Sequence, residues 1–246
     1  MQSRYRRQTT PIVLTGLLLV SMTAEAASRP AIVELYTSEG CSSCPPAERL
    51  LEELAQRSDI LPLAFHVDYW DGLGWRDRFS LKEATQRQQD AARQLRLSTV
   101  GTPQMIVEGR TALWGASRAR VEQAVKSGRT EVAMTITRNG PELIVRTEEQ
   151  AAREIFDVYV IGYLPKAVTA IGRGENAGRT ITEVNVVRYV RKIGTSAQAT
   201  REWSFPLDKL PGDAERVVVL LQTSSTGAIV GASLLEGRTG GKGETG

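Results

Sequence analysis

Residues 31–54, AIVELYTSEGCSSCPPAERLLEEL, decide how the first half of this chain is read. AIVELYT (31–37) is a short apolar run of the kind a buried strand uses, and it carries one acid, Glu34. Ser38-Glu39-Gly40 supplies a turn. Beyond it, Ala47, Leu50, Leu51 and Leu54 recur at the spacing of one helix face. Cys41 and Cys44 therefore stand between a strand and the start of a helix. Unpaired backbone N–H groups and the positive end of the helix dipole favour thiolate over thiol there. Cys41 is expected to be the exposed nucleophile, and Cys44, one turn further on, the thiol that resolves a mixed disulfide. Pro45 and Pro46 fall in the first turn, where a missing N–H does little harm.

These are the only two cysteines in 246 residues. A bridge across so short a loop would stabilise by only about 2 kcal/mol on the loop-entropy argument. A chain with a core of this size does not depend on such a contribution. The pair reads as chemical rather than structural. Redox exchange leads, with metal binding and a passive disulfide as the alternatives.

Outward from this stretch, LPLAFHVD (61–68) forms a second apolar strand, followed by a loop holding Trp70, Gly72, Gly74 and Trp75. Ser80 and Glu83 have the spacing of a capping box for a helix striped by Leu81, Ala84, Gln88, Ala91 and Leu95. QMIVE (104–108) and Thr111 to Trp114 give a third and a short fourth strand, and Ser117 caps a last helix through Val121, Ala124 and Val125. Strands alternating with helices predict an α/β layer over residues 27–128. From Glu131 the pattern changes to strand-like runs alone. Asn139-Gly140 is a hairpin signal. Further runs cover 154–163, 167–171, 180–190, 200–205, 216–222 and 228–235. Seven or eight short strands at this spacing predict an all-β, sandwich-like domain over 129–236. A disordered tail is expected over 237–246.

The first 26 residues read as a signal peptide. Arg4, Arg6 and Arg7 precede an apolar stretch, Ile12 to Val20, and Ala24-Glu25-Ala26 has the small-x-small form of a cleavage site. The apolar stretch is too short to span a bilayer. Cleavage is expected after Ala26, with the mature protein periplasmic or secreted and without a membrane anchor. The leader removes three arginines and one glutamate from a formal charge of +3, which leaves +1. No block of like charge or basic-aromatic stripe points to nucleic acid.

Other residues could join the cysteines. Glu34 could carry the proton of Cys44, or be held in a structural ion pair with an arginine. His66 is the only histidine. With Cys41 and Cys44 it would make a soft-metal set for Cu or Zn, as in a metal-binding module or metallochaperone. The plainer reading is a hydrogen-bonded histidine beside the sheet. Trp70 and Trp75 could line a groove for unfolded polypeptide or cover a core edge. Residues 172–179, GRGENAGR, have the wrong glycine spacing for a phosphate loop and no lysine. They read as a Gly-rich hairpin whose Arg173 and Arg179 could contact the first domain or a partner. No cofactor is expected.

TSEGCSSCPPA (37–47), HVDYWD (66–71), Thr102-Pro103-Gln104 and GENAGRT (174–180) together resemble one family, a secreted and mostly bacterial thioredoxin-like family of unknown function. The resemblance covers almost all of the mature chain. It implies a thioredoxin-like first domain and a β-rich second part. It also implies that the Thr102–Pro103 bond is cis and faces the cysteines, with Thr102 pairing to the backbone of a substrate. By analogy the chain is then a thiol–disulfide oxidoreductase acting on the thiols and disulfides of other exported proteins and served by a redox partner protein. A redox-inert binding protein is the remaining alternative. Ser42-Ser43 stands where thioredoxin itself has Gly-Pro.

Overall fold

The computed structural model describes residues 29–148, 154–196, 201–235 and 237. The expected signal peptide and all but the first residue of the expected tail lie outside these.

Three helices and eleven strands alternate, then separate. Strand β1 (Ala31–Thr37) leads to α1 (Pro45–Leu54), β2 (Ile60–His66) and α2 (Lys82–Gln94). The hairpin β3 (Gln104–Val107) and β4 (Thr111–Trp114) follows, then α3 (Arg118–Val125). After that, the described residues form strands, with a 3-10 turn at Leu207–Lys209. These strands are β5 (Met134–Asn139), β6 (Glu142–Thr147), β7 (Phe156–Ala170), β8 (Thr180–Thr195), β9 (Glu202–Pro206), β10 (Arg216–Thr223) and β11 (Ile229–Leu234).

The fold is mixed α/β. One eight-stranded sheet runs β11-β10-β7-β8-β2-β1-β3-β4, and a three-stranded antiparallel sheet runs β5-β6-β9. β1 and β2 are parallel with α1 as their crossover, while β3 is antiparallel to β1. The two halves of the chain meet where β8 runs parallel to β2, with Ala64 opposite Val186. The helices end where the sequence pattern changes, at Gly128, which has a left-handed φ of 69°.

Alternation along β1 sorts its residues onto two cores. Ala31, Val33 and Leu35 pack with Leu50, Leu51 and Leu54 of α1 and Val121 of α3. Ile32 and Tyr36 face the other way, joining Ala84 and Ala91 of α2 and also Val218 and Leu220 of β10. That core therefore extends beneath both halves of the large sheet. A third core lies between the sheets, where Leu143, Val145, Trp203 and Phe205 meet Val158, Val160, Val217 and Val219. This face-to-face arrangement is the sandwich-like part.

The structure corrects three local expectations. Ser80 does not cap α2. Its hydroxyl donates to Asp71 Oδ2 (2.7 Å), and Leu81 holds the N-cap position. Ser117 is at the N-cap of α3, but its side chain makes no capping bond. The runs 154–163 and 167–171 are one strand, β7, that continues through Pro165. Pro165 lies opposite Asn185, between the pairs Leu164–Val186 and Lys166–Val184. Asn185 has a φ of 48° there, and its amide donates to Pro62 O of β2 (2.9 Å).

Candidate functional site

Cys41 and Cys44 form a disulfide with their Cα atoms 5.4 Å apart. The N–H of Cys41 donates to Ser38 O (3.1 Å) and that of Cys44 to Cys41 O (3.2 Å), so the bridge closes two consecutive tight turns. Cys44 is the N-cap of α1, and Pro45 and Pro46 take its first two positions. Ala47 and Glu48 both donate their N–H to Cys44 O (2.8 and 3.2 Å). The start of this helix therefore offers few free donors to a sulfur. Ser43 Oγ lies 3.4 Å from Cys41 Sγ.

The expectation that Cys41 is exposed is not met. Neither cysteine has accessible surface, whereas Ser42 and Ser43 between them are exposed. The covering residues come from two loops. From the β7–β8 connection, Asn176 Nδ2 donates to both Glu39 O and Cys41 O, each at 2.9 Å. Arg179 orients it by donating to Asn176 Oδ1 (3.1 Å). From the loop after β2, Trp70 crosses above Gly40, where an added Cβ would come within 3.4 Å of the tryptophan Cβ. Trp70 Nε1 donates to Thr102 Oγ1 (2.8 Å), and the Thr102–Pro103 bond is cis. Trp70 thus ties the cysteine turn to the proline turn. The two loops also touch one another, Gly174 against Gly74 and Trp75, and a φ of 79° at Gly174 allows that approach.

Beneath the cysteine turn lies a buried polar cluster. His66 Nδ1 meets Asp77 Oδ2 at 2.7 Å, and its Nε2 stands 3.6 Å from Glu183 Oε1. Asp77 also accepts the N–H groups of Glu39 and Phe79, both at 2.8 Å. Glu39 accepts Trp75 Nε1 (2.7 Å), and Glu48 accepts the Thr37 hydroxyl (2.7 Å). Phe79 closes the apolar side, edge-on to the imidazole. Glu39, Glu48, His66, Asp77 and Glu183 are each less than 5% exposed. Yet Glu39 Oε1, Glu48 Oε2, His66 Nε2 and Glu183 Oε1 have no hydrogen-bond partner in the protein.

The protonation states follow from this crowding. Burial alone would lower the pKa of His66, but the charge and hydrogen bond of Asp77, with Glu183 and Glu48, raise it to about 9. Burial tends to raise Asp77. Its ion pair and hydrogen bond with His66 and the two N–H groups outweigh that and hold it below the usual carboxylate range. Glu183 is pushed up to about 8 by burial, with Glu48, Glu39 and Asp77 adding to the shift against the pull of His66. Burial raises Glu48 too, against Thr37 and His66.

The structure brings Cys41, Cys44, Thr102 and Pro103 into one region through Trp70. It does not bring Glu34 there. Glu34 faces the α2 side of the sheet, where Arg87 donates to its Oε1 through Nε (3.0 Å) and Nη2, and Tyr36 OH donates to its Oε2 (2.9 Å). The ion-pair alternative holds for that residue. Among the described residues no group of three or more His, Cys, Asp or Glu is placed to hold a metal ion. The set Cys41, Cys44 and His66 is not assembled, and His66 is the hydrogen-bonded histidine of the plainer reading. The sequence reading missed Glu39, Glu48, Asp77, Asn176 and Glu183. Two of them left a local signal. Glu48 follows Cys44 by one helical turn, and Glu183 shares a strand face with Ile181. Asp77 and Asn176 lie in loops, and only the folded chain brings them to the pair.

A crystal structure of an Agrobacterium tumefaciens protein from a structural genomics programme is 30% identical to this chain. The match covers 85% of this chain and 96% of that one, with a TM-score of 0.72. HBP35 of Porphyromonas gingivalis shares the fold at 13% identity, with a TM-score of 0.54 over 84% of this chain and 74% of that one. Among curated proteins none matches. Residues 32–222, which hold the cysteine turn, the proline turn, the buried cluster and the Asn176 loop, match the family described as "Protein of unknown function (DUF1223)", and the chain belongs to that family.

Proposed function

We propose that this is an exported thioredoxin-like protein that exchanges disulfides with other exported proteins through Cys41 and Cys44. The observation that carries the proposal is the disulfide at the entrance of α1, tied through Trp70 to a cis Thr102–Pro103 turn. The strand order β2-β1-β3-β4, with α1 crossing between parallel strands, supports the thioredoxin-like part of the reading. A thiolate of the partner's attacks one sulfur and displaces the other. In the reduced protein Cys41 attacks, and Cys44 then expels the partner. Both sulfurs are buried, so exchange requires the Asn176 loop or the Trp70 loop to lift.

The test is exchange with a reduced or scrambled model protein. Wild type accelerates it and Cys41→Ser abolishes the effect. Equal rates for the two would end the enzyme reading. Export is tested separately by the N-terminal sequence of protein recovered outside the cytoplasm, which should begin at Ala27. The burial of both sulfurs favours a second reading, a redox-inert binding module. On that reading the disulfide stays closed and Cys41→Ser changes nothing but stability.

A further inference from the structure

The polar cluster bears on which way electrons flow. It gathers four buried carboxyl groups from four different elements, with Asp77 and Glu183 against the histidine and Glu39 and Glu48 beside the cysteine turn. Glu39 stands two residues before Cys41, and its carbonyl shares the Asn176 amide with that of Cys41. Glu48 is on α1, one turn beyond Cys44, and donates its N–H to Cys44 O. Asp77 comes from the loop after β2 and Glu183 from β8, with His66 of β2 between them. Other cations stay at the rim. Arg78 is half-exposed and 3.8 Å from Glu39 Oε1. Arg179 is engaged with Asn176, and Arg49 lines the open cleft beside Ser42 and Glu48.

We infer that this buried, donor-poor and acid-lined setting makes the Cys41–Cys44 pair an electron donor, a dithiol that reduces disulfides in partner proteins, rather than a disulfide donor. The inference rests on the thiol-exchange reading proposed above. Closing the cycle takes two electrons and two protons. A second dithiol protein reduces the Cys41–Cys44 bridge and becomes a disulfide. The reduced pair then breaks a partner's S–S bond, reforms its own, and passes both protons to the partner's thiols.

A dithiol becomes a poor donor when its thiolate is strongly stabilised, because that stabilises the reduced form. Little at the sulfurs stabilises a thiolate, and the buried cation, His66, is already held between Asp77 and Glu183. Two prolines remove N–H donors from the first turn of α1, and the next two N–H groups are spent on Cys44 O. A helix terminus favours an anion by about 0.3–1 kcal/mol in ordinary settings. Opposing it is burial of both sulfurs, which can move a group by several pKa units. The larger effect holds the thiols protonated and the bridge stable. Burial also raises Glu183 and Glu48, the effect it has on a thiol enclosed in the same way.

The experiment equilibrates the full chain with glutathione buffers and reads the oxidised fraction by alkylation and mass. The disulfide should persist in mixtures that are mostly reduced glutathione. Glu48→Gln should shift the equilibrium toward the dithiol by about tenfold, which for a two-electron couple is about 30 mV, and Glu183→Gln should shift it less. The pH midpoint of alkylation of the reduced protein should fall in the first. The amide keeps the bond to Thr37 in the first variant, and the second removes a carboxyl that is already largely protonated. A pair that is mostly dithiol in balanced glutathione, or a Glu48→Gln variant that shifts nothing, would overturn the inference and leave thiol exchange standing. Failure to equilibrate with any thiol would overturn both.

Discussion

Two buried sets of charges lie on opposite faces of the same strands. On the α2 face, one arginine meets one glutamate. Arg87 grips Glu34 through two nitrogens, reaches Gln222 Oε1 with a third (3.2 Å), and stacks over Phe65 and Tyr159. Each charge is balanced. On the other side, beneath the cysteine turn, four carboxyls share one histidine, and four polar atoms lack partners. Ionised groups out of water cost several kcal/mol each unless matched. The first set satisfies that condition and needs no function to account for it. The second does not, and imbalances of this kind gather where chemistry is done.

The comparison can be broken most easily at the balanced set. Arg87→Ala should cost about 3–5 kcal/mol, because it strands Glu34 in a dry core. Urea unfolding measures this, and replacing both residues by apolar ones of similar volume should recover most of the loss. If the double variant is as unstable as the single one, the pair is not the balanced unit described here.

The unbalanced set should show itself in pH dependence. His66 and Glu183 both bind protons more tightly folded than unfolded, since their folded values of about 9 and about 8 lie above the ordinary values of 6.5 and 4.5. Their contributions are present at low pH and lost as pH rises through the folded values. Stability should therefore fall between about pH 4.5 and 9, by several kcal/mol at roughly 1.4 kcal/mol per pKa unit. Denaturation midpoints across that range test the sign, and Glu183→Gln should flatten the slope. A stability that climbs over this range would contradict the assignment.

Smaller effects separate the cover from the cluster. Asn176→Ala removes two buried hydrogen bonds and should cost about 1–2 kcal/mol. It should also speed reduction of the disulfide by dithiothreitol about tenfold, if that energy holds the cover closed. Unchanged reduction kinetics would show that the sulfurs are reached by another route. The least effect is expected from Thr37→Val, about 1 kcal/mol, since it takes the hydrogen bond from a Glu48 carboxyl that burial has already pushed upward.

What sequence reveals about this molecule depends on how far apart the partners lie. β1, α1 and the cysteine turn are legible because a strand, a turn and a helix face follow one another within residues 31–54. The sandwich-like second half is legible from its alternating runs, although Pro165 conceals the length of β7. Glu34 could be placed in a strand, but alternation alone does not say which face meets the cysteines. The answer depends on α2 lying over Ile32 and Tyr36 while α1 lies over Val33 and Leu35. The cluster was out of reach because its members come from five separate segments. Only the pairing of β8 with β2 brings Glu183 to His66.

The Asn176 clamp carries a consequence for how the protein is made. Its donor and the Cys41 carbonyl are 135 positions apart. Synthesis proceeds from the N-terminus at about 5–20 residues per second. The cysteine turn therefore leaves the ribosome several seconds before its own cover exists. During that interval both sulfurs are open to any oxidant or thiol they meet, and docking of the β7–β8 hairpin is what later encloses them. A ribosome-bound chain ending before residue 176 would show the pair in its uncovered form.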